Sequence, residues 1–407
     1  MVKKNIKRDI FDQLLGEVNQ TEVTILIGPR QVGKSSLLLK LQENVKEKTS
    51  FYDLEDPLTL AGFNLSPEEI ITKLDKEDTK VIFIDEFHYL KNASKIFKAI
   101  YDRGICDPKK RVKIFASGSS TTEIHKHLKE SLAGRKNTIR IFPLSFLEFT
   151  QTKQSFDEYL LFGSLPGIIH KESHKDKLAL LNNILKTYIE KDIKSLVREE
   201  NISPFNNLLR IVAQSQGQLV EHSSIANEIR VSSPTVQRYF DLLEETFVVN
   251  PLYSFSRNKT NELKKSKKYY FFDLGIRNLL VEDFSFIEKR EDKGLLYESY
   301  VFNYLSSKLL PNMSLGFWRT KQKDEIDFVL SKNKIPYPIE VKSKLIRPSI
   351  PASFLKFSKL YPEMKDAFII NENLNLSIEM EGFSVHFLLI SQLETFTLLD
   401  DILDSVL

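Results

Sequence analysis

The feature that most constrains the fold is a glycine-rich turn between a strand-like run and a helix-like run. Residues 28–35 read Gly-Pro-Arg-Gln-Val-Gly-Lys-Ser, with apolar residues 23–27 before them and the leucine-rich residues 36–41 after them. A turn that leads from a strand into a helix N-terminus presents successive backbone N–H groups to a chain of phosphates. The pattern therefore predicts a loop that binds a nucleoside triphosphate. The candidate nucleotide-binding residues are Gly28, Pro29, Arg30, Gln31, Val32, Gly33, Lys34, Ser35 and Ser36.

A second acidic motif supports this interpretation. In the loop, Lys34 would reach the β and γ phosphates as a catalytic cation, and the Ser35 hydroxyl would hold Mg²⁺. About fifty residues later, the apolar run 81–84 ends in Asp85 and Glu86. Asp85 could hold Mg²⁺ through water, and Glu86 could deprotonate the attacking water. The alternative, that these carboxylates only begin a loop, is less favoured because both motifs occur in the expected order. The pair also favours hydrolysis over phosphoryl transfer to a small acceptor.

Length and composition limit the remaining possibilities. The chain has 407 residues, enough for two or three domains, and a formal net charge of +3, so nucleic-acid binding would depend on local basic patches. The single cysteine, Cys106, excludes an intrachain disulfide and fits a reducing cytoplasm. The charged N-terminus has no signal-peptide core, and no apolar stretch approaches the ~20 residues that span a bilayer. We therefore expect a cytoplasmic protein without a membrane partner.

The periodicity of apolar residues predicts four segments. Residues 1–155 alternate strands with helices, which predicts an α/β domain with a parallel sheet. Residues 156–215 have helical periodicity, which predicts either a helical lid over the nucleotide or a helical segment that only connects two domains. Residues 216–285 read as helix, turn, helix and hairpin, which describes a winged-helix domain, and residues 286–407 read as a second α/β domain. The strands predicted in the first segment are 23–27, 50–52, 81–84, 112–116 and 138–141.

Two further motifs of the first segment could act on the nucleotide. The predicted strand beginning near Lys113 ends in hydroxyl side chains, and Ser117 or Ser119 could sense the γ-phosphate or position water. A polar turn is the equally favoured alternative. Arg135 could stabilise transition-state charge, in its own subunit or in a neighbour, or could be a surface arginine. His88 is expected to pack or relay rather than to bind a metal.

These motifs together resemble one family, the prokaryotic AAA-type (AAA_14) ATPases with a C-terminal domain of unknown function, DUF4143. The resemblance extends over about residues 5–345 and is most specific at Pro-Leu-Ser-Phe, residues 143–146. It implies a P-loop NTPase core of the AAA+ (additional-strand, ASCE) type, ATP and Mg²⁺ as cofactors, and a homo-oligomer. It implies no settled biological role. The segments that carry the resemblance are 28–35, 85–86, 117–120, 132–135, 142–149, 162–167 and 188–192.

The last segment contains a second candidate constellation. Glu340 and Lys342 lie two apart on a predicted strand and so project to one face, with Asp327 on the neighbouring strand and Glu298 on the preceding helix. This resembles metal-dependent nucleases of the restriction-endonuclease type, PD-(D/E)xK. The resemblance implies that Glu298, Asp327 and Glu340 bind Mg²⁺ while Lys342 activates water. Such folds also persist as binding or structural modules, so cleavage stays open.

The predicted winged helix suggests DNA as a partner. Residues 257–268, between its strands, carry six basic residues and one acidic residue, which suits a wing that contacts phosphates. Gln237 and Arg238 on the presumed recognition helix could face a groove. A solvated loop on a protein-interaction domain is the alternative.

Three hypotheses follow for the whole chain. The first is a Mg²⁺-dependent ATPase coupled to a DNA-binding, nuclease-like module. The second is a nucleotide-switched protein-interaction ATPase with an inactive nuclease-like fold. The third is a signalling ATPase in defence against foreign DNA.

Overall fold

The structure, a computed structural model of the chain, describes residues 6–118, 132–193, 197, 202–256 and 267–395. Ser119 and residues 257–266 of the predicted wing lie outside this range. The chain forms two compact units. The N-terminal unit comprises residues 1–144, 165–170 and 242–248, and the C-terminal unit comprises residues 145–164, 171–241 and 249–407. The four-segment division stays a prediction.

The N-terminal unit is built on a parallel five-stranded sheet in the order β2-β3-β4-β1-β5. The strands predicted from sequence are confirmed to within two residues at each end. β4, which lies between β3 and β1, is the additional strand that the family resemblance implied. The strands are β1 Val23–Ile27, β2 Thr49–Asp53, β3 Val81–Asp85, β4 Lys113–Gly118 and β5 Lys136–Arg140.

Helices cover this sheet and begin at residues with clear local signals. The helix that starts at Pro67 has a capping box, in which Ser66 and Glu69 each accept a hydrogen bond from the other's backbone N–H. The helix that starts at Ala93 buries Ile96 and Phe97 against the sheet in the main apolar core. The helices are α1 Ile10–Gly16, α2 Lys34–Asn44, α3 Pro57–Ala61, α4 Pro67–Lys76 and α5 Ala93–Cys106.

The C-terminal unit is built on a mixed eight-stranded sheet in the order β12-β13-β11-β10-β9-β8-β6-β7. The hairpin β6/β7 is the strand pair that the sequence predicted, and β6 also pairs with β8 in parallel, so the sheet crosses the predicted domain boundary at residue 285. Trp318 and Arg319 lie at the end of β8. The strands are β6 Val249–Ser254, β7 Lys268–Phe271, β8 Met313–Arg319, β9 Glu325–Lys332, β10 Ile335–Lys342, β11 Asp366–Asn371, β12 Leu376–Met380 and β13 Phe383–Leu389.

The helices of this unit include the predicted helix–turn–helix pair before the hairpin. Its second helix is capped by Ser232, whose Oγ accepts from the Thr235 N–H at 3.3 Å. The winged-helix assignment stays a prediction. The helices are α6 Phe146–Thr150, α7 Phe156–Phe162, α8 His174–Thr187, α9 Ile202–Gln214, α10 His222–Ile229, α11 Ser233–Glu245, α12 Leu274–Val281, α13 Lys293–Ser307 and α14 Ala352–Leu360. Nowhere in the described ranges is a helix long and apolar enough to cross a bilayer.

The Pro-Leu-Ser-Phe segment contributes α6 to the C-terminal unit. The Glu394 carboxylate accepts from the Phe146 N–H at 2.8 Å and the Leu147 N–H at 3.0 Å, and the Tyr300 hydroxyl donates to it at 3.1 Å. Burial raises the pKa of Glu394, against the lowering effect of these hydrogen bonds. The carboxylate thus satisfies the N-terminus of α6 and ties it to helix α13.

Candidate functional site

The glycine-rich loop has the geometry that its sequence predicts. It leaves β1 after Ile27 and enters α2 at Lys34. Gly28 has φ 149°, and a Cβ there would lie 2.3 Å from the Ile141 carbonyl oxygen. Gly33 has φ 94° at the N-cap of α2. Larger residues would clash at Gly28 and would be strained at Gly33, so both glycines are required by the turn.

Lys34 is held against the loop that precedes it. Its side chain is only 5% exposed, and its Nζ donates to the Gly28 carbonyl at 2.9 Å and to the Pro29 carbonyl at 2.8 Å. The ammonium group is therefore enclosed by the loop backbone. Phosphate oxygens are the natural replacement for these two carbonyl acceptors.

Arg8 supports the loop and was missed by the sequence motifs. It is 9% exposed, and its guanidinium donates to the Val32 carbonyl at 3.0 Å and to the Phe142 carbonyl at 2.8 Å. A Cβ on Gly33 would lie 3.6 Å from both Arg8 Nη1 and Pro166 Cγ. Arg8 thus joins the loop to the segment after β5, while Pro166, in a segment that carries the family resemblance, packs beside it.

Ser35, Asp85 and Ser117 meet at the carboxyl edge of the sheet. The register of β3 and β4 pairs Ile84 with Ala116, which brings the next residues, Asp85 and Ser117, side by side. Ser117 Oγ donates to Asp85, and the Ser35 side chain also hydrogen-bonds Asp85. Burial raises the pKa of Asp85, although both hydrogen bonds act to lower it. A hydroxyl beside a carboxylate is a donor set that fits Mg²⁺ bound together with phosphates.

Glu86 lies next to this group in a left-handed conformation, with φ 51°. Its N–H donates to Ser117 Oγ at 3.2 Å, and its carboxylate lies 3.1 Å from His88 Nδ1. Burial raises the pKa of Glu86, but the adjacent His88 and the charges of Lys34 and Arg30 outweigh burial and lower it. The carboxylate is therefore ionised at neutral pH, as a base that accepts a proton from water must be.

Two more residues at this edge escaped the sequence reasoning. Asp53 ends β2 opposite Asp85. The negative charge of Asp53 helps to raise the pKa of Asp85. Arg140 ends β5 opposite Ile27, the last residue of β1 before the loop. The Arg140 guanidinium lies 4.8 Å from the ring centre of Phe142, and burial lowers its pKa to about 10.

Arg135 lies at the other edge of the sheet. Its carbonyl accepts from the Val23 N–H at 2.9 Å, where β1 begins, and its Nε lies 3.1 Å from Asp102 Oδ1. The five residues of β1, at about 3.3 Å each, place the loop ~16 Å away. The structure does not bring Arg135 to the loop of its own chain, and its action in its own subunit stays a prediction. Its action in a neighbouring subunit stays a prediction.

The second constellation lies in the C-terminal unit. The register pairs Ile339 with Phe328, which brings the next positions, Glu340 and Asp327, side by side. Lys342 Nζ lies 2.6 Å from Glu340 Oε1, so the two side chains share a face as predicted. Asp327 accepts from the Val341 N–H at 2.8 Å. Burial and the charge of Asp327 raise the pKa of Glu298 and that of Glu340 to about 7.

A lysine that the sequence assigned to the wing lies in this constellation. Lys268 is 3% exposed, and its Nζ lies 2.7 Å from Glu325 Oε1 and 3.8 Å from Glu298 Oε1. The Tyr270 hydroxyl donates to Glu298. Lys268 therefore cannot contact DNA phosphates, which corrects its place among the basic residues of the wing.

The predicted metal ligands of the C-terminal unit, Glu298, Asp327 and Glu340, lie in one neighbourhood. In the part of the chain that is described, no three acidic, histidine or cysteine side chains are arranged to coordinate a metal ion. The binding of Mg²⁺ by Glu298, Asp327 and Glu340 stays a prediction.

Comparison with protein families and curated proteins agrees with this architecture. Residues 20–150 match the AAA domain, residues 153–286 match a domain of unknown function (DUF8612), and residues 293–387 match another (DUF4143). An uncharacterized protein of Mycobacterium tuberculosis is 27% identical over 85% of this chain and 76% of its own. One of Haemophilus influenzae is 25% identical over 82% of this chain and 85% of its own.

Among solved structures, a Walker-type ATPase of Pyrococcus abyssi is similar over 68% of this chain and 96% of its own, with 16% identity and a TM-score of 0.48. The chain carries an AAA domain followed by a C-terminal DUF4143 domain, which confirms the resemblance that its motifs indicated.

Proposed function

We propose that this protein is a Mg²⁺-dependent ATPase that hydrolyses ATP at the glycine-rich loop. The observation that carries the proposal is the hydrogen-bonded group of Ser35, Asp85 and Ser117 at the carboxyl edge of one parallel sheet. Lys34 and Glu86 flank this group on the same side. These are the parts that phosphoryl transfer to water requires.

Each side chain has a role that follows from its surroundings. The loop N–H groups bind the phosphates, and Lys34 exchanges its carbonyl acceptors for phosphate oxygens. Ser35 and Asp85 would hold Mg²⁺, which when bound offsets phosphate charge. Glu86, kept ionised by its neighbours, accepts a proton from the attacking water. Ser117 fixes both acidic residues, because it donates to the Asp85 side chain and accepts from the Glu86 N–H.

ATP turnover by matched lysine variants tests the proposal. Lys34→Ala should reduce turnover at least ~100-fold, because the charge that contacts the β and γ phosphates is lost. Lys46→Ala removes an exposed lysine just beyond the same helix and should leave turnover unchanged. Equal turnover in Lys34→Ala and wild type would exclude this loop as the site of hydrolysis.

We further propose that ATP hydrolysis is coupled to DNA binding in a homo-oligomer. Support comes from the sequence of residues 257–266, where Arg257, Lys259, Lys264 and Lys265 oppose one glutamate. Gel retardation of DNA across a salt series, with these four residues changed to alanine together, measures their contribution. Equal retardation by the variant at every salt concentration would contradict the proposal.

A second candidate is the nucleotide-switched interaction ATPase with an inactive nuclease-like fold. It is favoured by Lys268, whose ammonium group lies 3.8 Å from Glu298, one of the side chains to which the nuclease interpretation assigns metal binding. Nuclease assays with and without ATP separate the two candidates. Cleavage by wild type that is lost in Glu340→Ala supports the nuclease, whereas no cleavage by either supports the interaction protein.

A further inference from the structure

The C-terminal unit holds a group of four buried or partly buried carboxylates, which we call the acidic cluster: Glu298, Glu325, Asp327 and Glu340. They lie on α13, β9 and β10. Four carboxylates brought together with reduced access to water repel one another, so the cluster requires compensating positive charge. In a metal-dependent nuclease a divalent cation supplies that charge.

Here the charge comes from the protein itself. Lys268, on β7, directs its ammonium group to Glu325 at 2.7 Å and to Glu298 at 3.8 Å. The ammonium also lies 5.3 Å from the ring centre of Phe317, so its surroundings are both acidic and apolar. Because the side chain is only 3% exposed, the lysine cannot turn to solvent without rearrangement of the hairpin.

The rest of the cluster is also compensated. Lys342 lies 2.6 Å from Glu340, and Arg319 Nη1 lies 3.3 Å from Glu325. Asp327 accepts from the Val341 N–H at 2.8 Å. Within the described ranges, Glu340 Oε2 has no hydrogen-bond partner. One such oxygen supplies only one corner of the octahedron that Mg²⁺ requires.

We propose that the ammonium of Lys268 takes the place of a divalent cation in the acidic cluster. A metal ion among these carboxylates would lie beside a buried positive charge, which opposes its binding. The cluster is then a metal-independent ion network that fixes the hairpin β6/β7 to the sheet, and the C-terminal unit does not cleave nucleic acid by metal catalysis. This inference does not depend on ATP hydrolysis.

Mn²⁺ binding to the full chain tests the proposal, measured by electron paramagnetic resonance without nucleotide. All proteins carry Asp85→Asn, so that binding at the glycine-rich loop does not enter the count. We expect no Mn²⁺ site in this background that depends on Glu340. Lys268→Met should create one Mn²⁺ site per chain, with an affinity at least ~10-fold higher than that of any site in the Asp85→Asn parent. Adding Glu340→Gln should abolish this site.

Lys267→Met is the matched control, because Lys267 is the adjacent lysine and contacts the rings of Tyr253 and Tyr269 instead. It should bind Mn²⁺ as its parent does. Stoichiometric Mn²⁺ binding by the protein with native Lys268 would overturn the proposal if Glu340→Gln abolishes it. Because both of these proteins keep Lys268, this comparison decides the question even if Lys268→Met fails to fold. A folded Lys268→Met protein without Mn²⁺ would overturn it as well.

Discussion

Replacing Arg8 by alanine removes two hydrogen bonds that hold the glycine-rich loop from outside. The Arg8 guanidinium donates to the Val32 carbonyl at 3.0 Å and to the Phe142 carbonyl at 2.8 Å, and the residue is 9% exposed. Hydrogen bonds that involve a charged group contribute about 1.5–3 kcal/mol each. Loss of both should therefore weaken the loop locally by about 3–5 kcal/mol.

Nucleotide affinity should fall because the loop must then be ordered when ATP binds. If ordering the loop takes ~2 kcal/mol from the free energy of nucleotide binding, the affinity for the nucleotide falls about 30-fold. Arg8→Lys keeps the charge but cannot reproduce the two-armed geometry, so we expect an intermediate loss.

The assay is titration with a fluorescent ATP analogue, and urea unfolding reports whether each variant is folded. Lys7→Ala is the control, because Lys7 is the adjacent exposed cation and lies 3.5 Å from Asp12. We expect it to bind as wild type does. A folded Arg8→Ala protein with an affinity within twofold of wild type would refute the assigned role of Arg8.

Three further outcomes are expected. Ser117→Ala should lower steady-state ATP turnover about 10- to 100-fold with little change in nucleotide affinity, because Asp85 and Glu86 lose the hydroxyl that holds them. A larger loss of affinity than of turnover would contradict this role. Glu394→Ala should cost about 1–3 kcal/mol in urea unfolding, because the Phe146 and Leu147 N–H groups lose their charged acceptor, and an unchanged unfolding midpoint would argue against it. The pKa of Glu298 and that of Glu340 are raised from 4.5 to about 7, so the folded chain retains protons that the unfolded chain releases. Stability from these groups is full below pH ~4.5 and declines as the pH rises to about 7. A pH series of urea unfolding should show this decline reduced in Glu340→Gln, and an equal decline would contradict the assignment.

The N-terminal sheet could be predicted from sequence because its strands are fully buried. A strand covered on both faces is a continuous apolar run, as in Val23–Ile27 and Val81–Asp85, and the glycine-rich loop fixes which strand precedes a helix. The contact between Asp85 and Ser117 also follows from sequence, once β4 is placed beside β3.

The C-terminal unit was predicted less completely because its strands are mixed in character. Strand β8 reads Met-Ser-Leu-Gly-Phe-Trp-Arg, which has neither a continuous apolar run nor strict alternation. Its pairing with β6 joins residues about sixty positions apart, and no local pattern reports such a contact.

Single buried charges were beyond the reach of sequence patterns. Lys268 follows other lysines in a run typical of a solvated loop, yet it is enclosed by carboxylates from α13 and β9. Arg8 belongs to no motif at all. For both residues, burial and partners are set by tertiary packing, which periodicity does not report.

The central claim is that the glycine-rich loop and the pair Asp85–Glu86 serve one nucleotide. Glu86→Gln keeps the size of the side chain but removes the group that accepts a proton from water. Single-turnover hydrolysis of radiolabelled ATP, with binding measured on the same samples, tests this most directly. We expect Glu86→Gln to bind ATP with an affinity within threefold of wild type and to hydrolyse it at least ~100-fold more slowly. Hydrolysis at the wild-type rate would contradict the account.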